Sequence, residues 1–217
     1  MAQRPSQVDG DDPRRRLAQA TRRIIDELAS STGDAHAFAV ARDLVEQAAE
    51  VLAGDEHGRS YEGAAEASLV EFQAIAFVDY SPFIGPLNPL APPIEVEMHD
   101  DRVEGLVTYR GAYEGPPGCV HGGFIAAGFD EVLGFAQALS GRPGMTGRLT
   151  VSYRSPTPLH EQVRYVGRID RVDGRKIFAS AELMVAADGR LCAEAEGLFI
   201  SMKPEVFERM IKARPAG

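Results

Sequence analysis

The chain has little cysteine, no long apolar run and no excess of basic charge, and each shortage removes a class of function. Two cysteines in 217 residues, Cys119 and Cys192, cannot build a disulfide framework and lack metal-ligand spacing. Both sit in apolar sequence, as small buried thiols do. No stretch approaches the ~18 consecutive apolar residues of a spanning helix, so no membrane span is expected. The Arg-rich start also carries Asp9, Asp11 and Asp12 and lacks an apolar signal core, which makes a cytoplasmic protein the expectation. The net charge of −9 is the wrong sign for a general nucleic-acid binder, whose surface must answer phosphate. A glycine-rich dinucleotide loop after a strand and a His/Cys cluster are both missing, so neither cofactor nor metal is expected.

What is present is an ordinary globular balance, 44% apolar and 25% charged. Asp12 followed by Pro13 reads as a helix start, with Leu17, Ile24, Ile25 and Leu28 as its stripe and Arg14, Arg15, Arg16, Arg22 and Arg23 as a solvated basic face. A second helix is expected after Gly33 and Asp34, with Phe38, Ala41, Leu44, Val45, Ala48, Val51 and Leu52 at helical spacing. These helices form an N-terminal extension over residues 1–70, and residues 71–217 form the main domain. Five prolines between Ser81 and Pro93 exclude regular structure there and predict an ordered or lid-like loop.

From residue 94 the period changes. Ile94, Val96 and Met98 alternate with acids, and a second strand is expected near Arg102–Tyr109. A helix then runs from about Gly122 to Leu139, followed by four strands, with hairpin turns at Asp173-Gly174 and Asp188-Gly189. Two strands, one long helix and four strands with short connections make an α+β domain, an antiparallel sheet wrapped on one helix.

That helix is apolar on nearly every side and is expected to be buried all round. Asp130 and Glu131 are its ionisable residues before the end, and carboxylates are seldom buried without a partner or a purpose. One is expected to face a cleft and the other a buried hydrogen-bonding group. His121, Gly122 and Gly123 stand at the helix entrance. The free N–H groups of a first turn suit an oxygen gaining negative charge, which describes an oxyanion hole for acyl transfer. His121 is read as a residue that ties down the loop. Gly123 and Asp130 lie about 10 Å apart along the axis at ~1.5 Å per residue, and they are expected on nearly opposite faces. One carboxylate therefore does not reach a carbonyl bound at its own helix start. An antiparallel second copy across a two-fold axis would bring it there, so a homodimer is expected.

These pieces resemble the hotdog-fold acyl-CoA thioesterases over about Ile94–Met202. The resemblance rests on GPPGCVHGGFIAAGFDE at Gly115–Glu131 and MTGRLTVSYRSPTPL at Met145–Leu159. The stretch before His121 is most similar to the mitochondrial thioesterase superfamily members four and five and their bacterial relatives. The PaaI-like bacterial thioesterases are also similar, but often carry an Asn where this chain has Gly115. The resemblance implies that Gly123 N–H polarises the thioester carbonyl. It implies that Asp130 acts on that carbonyl from the partner chain, as nucleophile or through a water, and that Thr146 supplies the hydroxyl beside Asp130. His121, Gly122 and Glu131 would shape the substrate-binding entrance. Arg148, Arg175 and Lys176 are candidates for the CoA phosphates. A medium- or long-chain acyl-CoA is the implied substrate, and a homodimer, or a tetramer made of two such dimers, is the implied assembly. Two alternatives stay open: a non-catalytic acyl-CoA-binding hotdog module, and an enoyl-thioester hydratase or dehydratase, for which the stretch Gly85–Leu90 lacks the Asp and His of the hydratase loop.

Overall fold

The computed structural model describes residues 6, 8–54, 78–142 and 144–201, so the expected boundary at residue 70 lies outside the described residues. Both N-terminal helices start where local chemistry dictates. In α1 (Pro13–Ser30) Pro13 takes the first position and the Asp12 carboxylate accepts from the Arg14 N–H. In α2 (Ala35–Leu52) Asp34 accepts from the Ala37 N–H at 2.8 Å. Their apolar stripes do not behave as the spacing predicts, for α1 buries only Ala18 and α2 buries no residue.

Polar groups hold α1 instead. Arg22, expected on a solvated face, is half-buried and donates to the carbonyl oxygens of Gly85, Pro86, Asn88 and Ala91. Prolines leave this loop with turn hydrogen bonds and no ladder, and one guanidinium adds a donor to four of its carbonyls. On the next turn Asp26 accepts from the Ala112 N–H at 3.2 Å, which ties α1 to the 3-10 turn Gly111–Tyr113. The Pro-rich loop is thus ordered by a helix that precedes it.

Six strands form one sheet: β1 (Glu95–Met98), β2 (Val103–Thr108), β3 (Gly144–Tyr153), β4 (Gln162–Asp173), β5 (Lys176–Val185) and β6 (Leu191–Ser201). Their order is β1-β2-β4-β5-β6-β3 and every neighbouring pair is antiparallel. Ile94, Val96 and Met98 are buried as their alternation requires. The β4–β5 hairpin closes with Asp173 opposite Lys176, and Gly174 takes φ +56°, a value that favours glycine.

Helix α3 (Gly122–Ala138) lies along one face and touches all six strands. Phe129, Val132 and Leu133 are fully buried between helix and sheet, and each such side chain contributes about 2–3 kcal/mol by leaving water. The helix comes close where it is smallest. A Cβ on Gly128 would stand 2.5 Å from the Tyr165 hydroxyl, which itself is 2.9 Å from the Tyr109 hydroxyl. Burial pushes both phenol pKa values up, so the two exchange a neutral hydrogen bond beneath the helix. The expected order of two strands, one helix and four strands is therefore observed, as an α+β hotdog arrangement with N-terminal helices added.

One expectation for α3 fails. The helix is not buried all round, because Gly123 and Asp130 are exposed and Ala126, Ala127, Glu131 and Gly134 are only partly covered. Strand β3 is also open, for it lies at the sheet edge and pairs only with β6. The uncovered stripe of the helix and the bare edge of the sheet belong to neighbouring elements.

Candidate active site

The N-terminus of α3 is built by His121. Its backbone is extended, with φ −62° and ψ 131°, and its Nδ1 accepts from the Gly123 N–H at 3.0 Å. His121 therefore does tie down the turn, in the role of an N-cap. Consequently the N–H expected to meet a thioester carbonyl is engaged by a side chain of its own chain. Among the described residues no acceptor takes the Gly122 N–H. The carbonyl of Gly122 accepts from the Tyr153 hydroxyl at 2.8 Å.

Two turns further along α3, Asp130 is exposed and its Oδ1 accepts from Thr146 Oγ1 at 2.9 Å. The structure thus brings together two residues that lie 16 positions apart in the chain. A β-bulge makes the contact. Thr146 pairs with Phe199, whereas Arg148 pairs with Leu198, so Gly147 is the extra residue between them. Simple alternation would put Thr146 and Arg148 on one face. With the bulge, Thr146 turns toward α3 while Arg148 is carried to the opposite face of the sheet. Arg148 is therefore not on the Asp130 side of the sheet.

The expected divergence of Gly123 and Asp130 around the helix is also corrected. Seven steps of ~100° come to ~700°, which returns both residues to one stripe, about 10 Å apart along the axis. Gly123, Ala127, Asp130 and Gly134 share this stripe, and small side chains there leave room for a close neighbour.

Glu131 sits one step round from Asp130 in a different setting. It is partly covered and accepts from Ser81 Oγ at 3.3 Å. Ser81 is fully buried at the head of the Pro-rich loop, and its Oγ also accepts from the N–H groups of Phe83 and Ile84. Burial first, then the charge of Asp130, push the Glu131 carboxyl up to about 7, against the opposing effect of the Ser81 hydrogen bond. Of the two adjacent acids, one faces the open stripe and the other a hydrogen-bonding partner.

Arg175 and Lys176 are exposed at the β4–β5 hairpin. The register runs from Ile177 through Phe199 to Thr146, so this hairpin lies at the sheet end where β3 begins. Arg175 Nε donates to the Ser201 carbonyl at 3.0 Å. Arg142 joins them by donating to the Gly174 carbonyl at 2.9 Å. Sequence reasoning passed over Arg142, which precedes β3 in a turn that has no periodicity to mark it. Tyr153 and Ser81 were missed as well, because their partners lie 31 and 50 residues away. Among the described residues no group of three or more His, Cys, Asp or Glu side chains is placed to hold a metal ion.

The family model described as the thioesterase superfamily matches residues 117–193, from the turn before α3 to the start of β6. A crystal structure of a thioesterase superfamily protein is 35% identical, covers 89% of this chain and 97% of its own, and superposes with a TM-score of 0.76. The acyl-coenzyme A thioesterase THEM4 of Xenopus laevis is 38% identical over 91 residues, which are 42% of this chain and 41% of that protein. The Bos taurus THEM4 is 36% identical over 108 residues, 49% and 44% of the two chains. The chain spans less than half the length of these curated relatives.

Proposed function

Since the chain belongs to the thioesterase superfamily, we propose that it hydrolyses a medium- or long-chain acyl-CoA to free acid and CoA as a homodimer. The observation that carries this reading is the Thr146–Asp130 pair, set on the same open stripe of α3 as the Gly122-Gly123 turn. The substrate class is taken from the relatives named acyl-coenzyme A thioesterases. The chain-length preference is what the resemblance of the His121 region to the mitochondrial thioesterase superfamily members implies.

In this reading two α3 helices lie antiparallel across a two-fold axis, with small residues at the seam and the bare β3 edges of the two copies side by side. Asp130 of one copy then stands at the first turn of α3 in the other. The thioester carbonyl oxygen lands on the Gly122 and Gly123 N–H groups, and the His121 ring swings off the latter. Thr146 holds one carboxylate oxygen of Asp130 and leaves the other for the carbonyl carbon, directly or through a water. The collapsing intermediate breaks the C–S bond and expels the CoA thiolate. On the water route the thiolate takes up the proton that Asp130 removed from the water. On the direct route a water then cleaves the acyl-aspartyl anhydride to free acid and restores the carboxylate. Arg142, Arg175 and Lys176 supply local positive charge for the CoA phosphates in a chain of net charge −9.

The test is thiol release from an acyl-CoA panel running from acetyl to palmitoyl, with Asp130→Asn alongside. Hydrolysis that peaks at medium or long chains and collapses in the variant is expected. Binding of acyl-CoA without hydrolysis by the wild-type protein would replace this reading with that of a binding module.

A further inference from the structure

The peptide that joins Gly122 to Gly123 is held at both of its polar ends. Its carbonyl oxygen accepts from the Tyr153 hydroxyl at 2.8 Å, and its N–H donates to His121 Nδ1 at 3.0 Å. Tyr153 is the last residue of the edge strand β3, and 54% of it remains exposed, so core packing does not account for its direction. The fit is close at Gly122, where a Cβ would stand 3.1 Å from the Tyr153 oxygen and the tyrosine would have to give by a few tenths of an ångström.

We propose that Tyr153 is a positioning residue for hydrolysis, whose hydroxyl fixes the orientation of the Gly122–Gly123 peptide so that its N–H meets the oxyanion. This rests on the thioesterase reading above. Two consecutive glycines at a helix start have the greatest backbone freedom of any pair, and a donor that must stabilise a developing charge works by being oriented beforehand. When the substrate carbonyl displaces the imidazole, the N–H end of the peptide loses its restraint, and the Tyr153 bond remains at the carbonyl end, beside the intrahelical bond that the Gly122 carbonyl accepts as the first residue of α3. A hydrogen bond to the carbonyl of a peptide also polarises it, which strengthens donation from its own N–H. Tyr153 therefore acts through the backbone and does not touch the reacting atoms.

Gly122-Gly123 is the only consecutive glycine pair in the chain. Protein labelled with glycine carrying 13C at the carbonyl and 15N at the amide therefore gives one correlated carbonyl–amide signal, which reports this peptide alone. In Tyr153→Phe, which keeps the ring and removes the hydroxyl, that signal is expected to move. At the same time kcat should fall roughly tenfold, with KM changed less than about twofold, against the 10²–10³ for loss of a whole oxyanion donor. An unmoved signal, or a moved signal with kcat intact, overturns the proposal. Should the wild-type protein hydrolyse no thioester, the catalytic role falls with the thioesterase reading. The labelled peptide still shows in that case whether Tyr153 holds it, so the two failures are told apart.

Discussion

The two long sides of α3 are made from one helix and finished in opposite ways. Toward the sheet and the Pro-rich loop, Phe129, Val132 and Leu133 are fully buried, Gly128 lies under two tyrosine hydroxyls, and Glu131 is drawn in by Ser81. On the far side Gly123 and Asp130 are exposed, and Ala127 and Gly134 between and beyond them are small. The closed side fixes where the helix sits, while the open side offers chemistry. The adjacent acids show how narrow the division is. One step of ~100° separates a carboxyl that burial pushes up to about 7 from one that solvent and a threonine hydroxyl reach.

Exchanging the charge on either side gives the largest expected contrast. Asp130→Asn should lower kcat by about 10³-fold, in the range of a lost general base, whereas Glu131→Gln should keep it within a few-fold. Equal losses would remove the division between the sides. Next comes packing on the closed side alone. Gly128→Ala forces a methyl to within 2.5 Å of the Tyr165 oxygen, and overpacking of this kind costs about 2 kcal/mol. Denaturant unfolding should show that loss, and an unchanged midpoint would mean that the tyrosine pair yields freely.

The smallest effect is the pH dependence of Glu131. Its carboxyl lies near its ordinary value of 4.5 in the unfolded chain and is raised to about 7 in the fold. The folded protein therefore holds this proton more tightly, and Glu131 costs stability as pH rises from about 4.5 to about 7, with no further change above that. Glu131→Gln should match the wild type below this window and exceed it by something on the order of 2 kcal/mol at pH 8. Stability curves that stay parallel across the window would contradict the burial argument.

Much of this was legible in the sequence, for identifiable reasons. Helix caps at Asp12 and Asp34 and the hairpin at Gly174 are local, so neighbouring residues determine them. The Asp130–Thr146 contact was reached through the likeness of both segments to a family and not through periodicity. The opposite facing of Thr146 and Arg148 was not legible, because a bulge at Gly147 reverses the alternation and no pattern in the strand signals an extra residue. Arg22 looked like one of five solvated arginines, and only its bonds to four carbonyls of a distant loop make it structural. The apolar stripe of α2 has the spacing of a buried face and yet is exposed, since periodicity reports what a helix can bury and not what lies opposite.

The central claim is that each site takes Gly123 from one chain and Asp130 from the other, and mixing two inactive variants tests it directly. Asp130→Asn removes the carboxylate. Gly123→Pro removes the N–H at a first-turn position where proline is tolerated. Unfolded together and refolded as mixed dimers, they place an intact Gly123 opposite an intact Asp130 at one of the two sites of each heterodimer. Random pairing then restores roughly a quarter of wild-type activity. Activity no higher than the mean of the two parents would contradict the claim and put the whole site within a single chain.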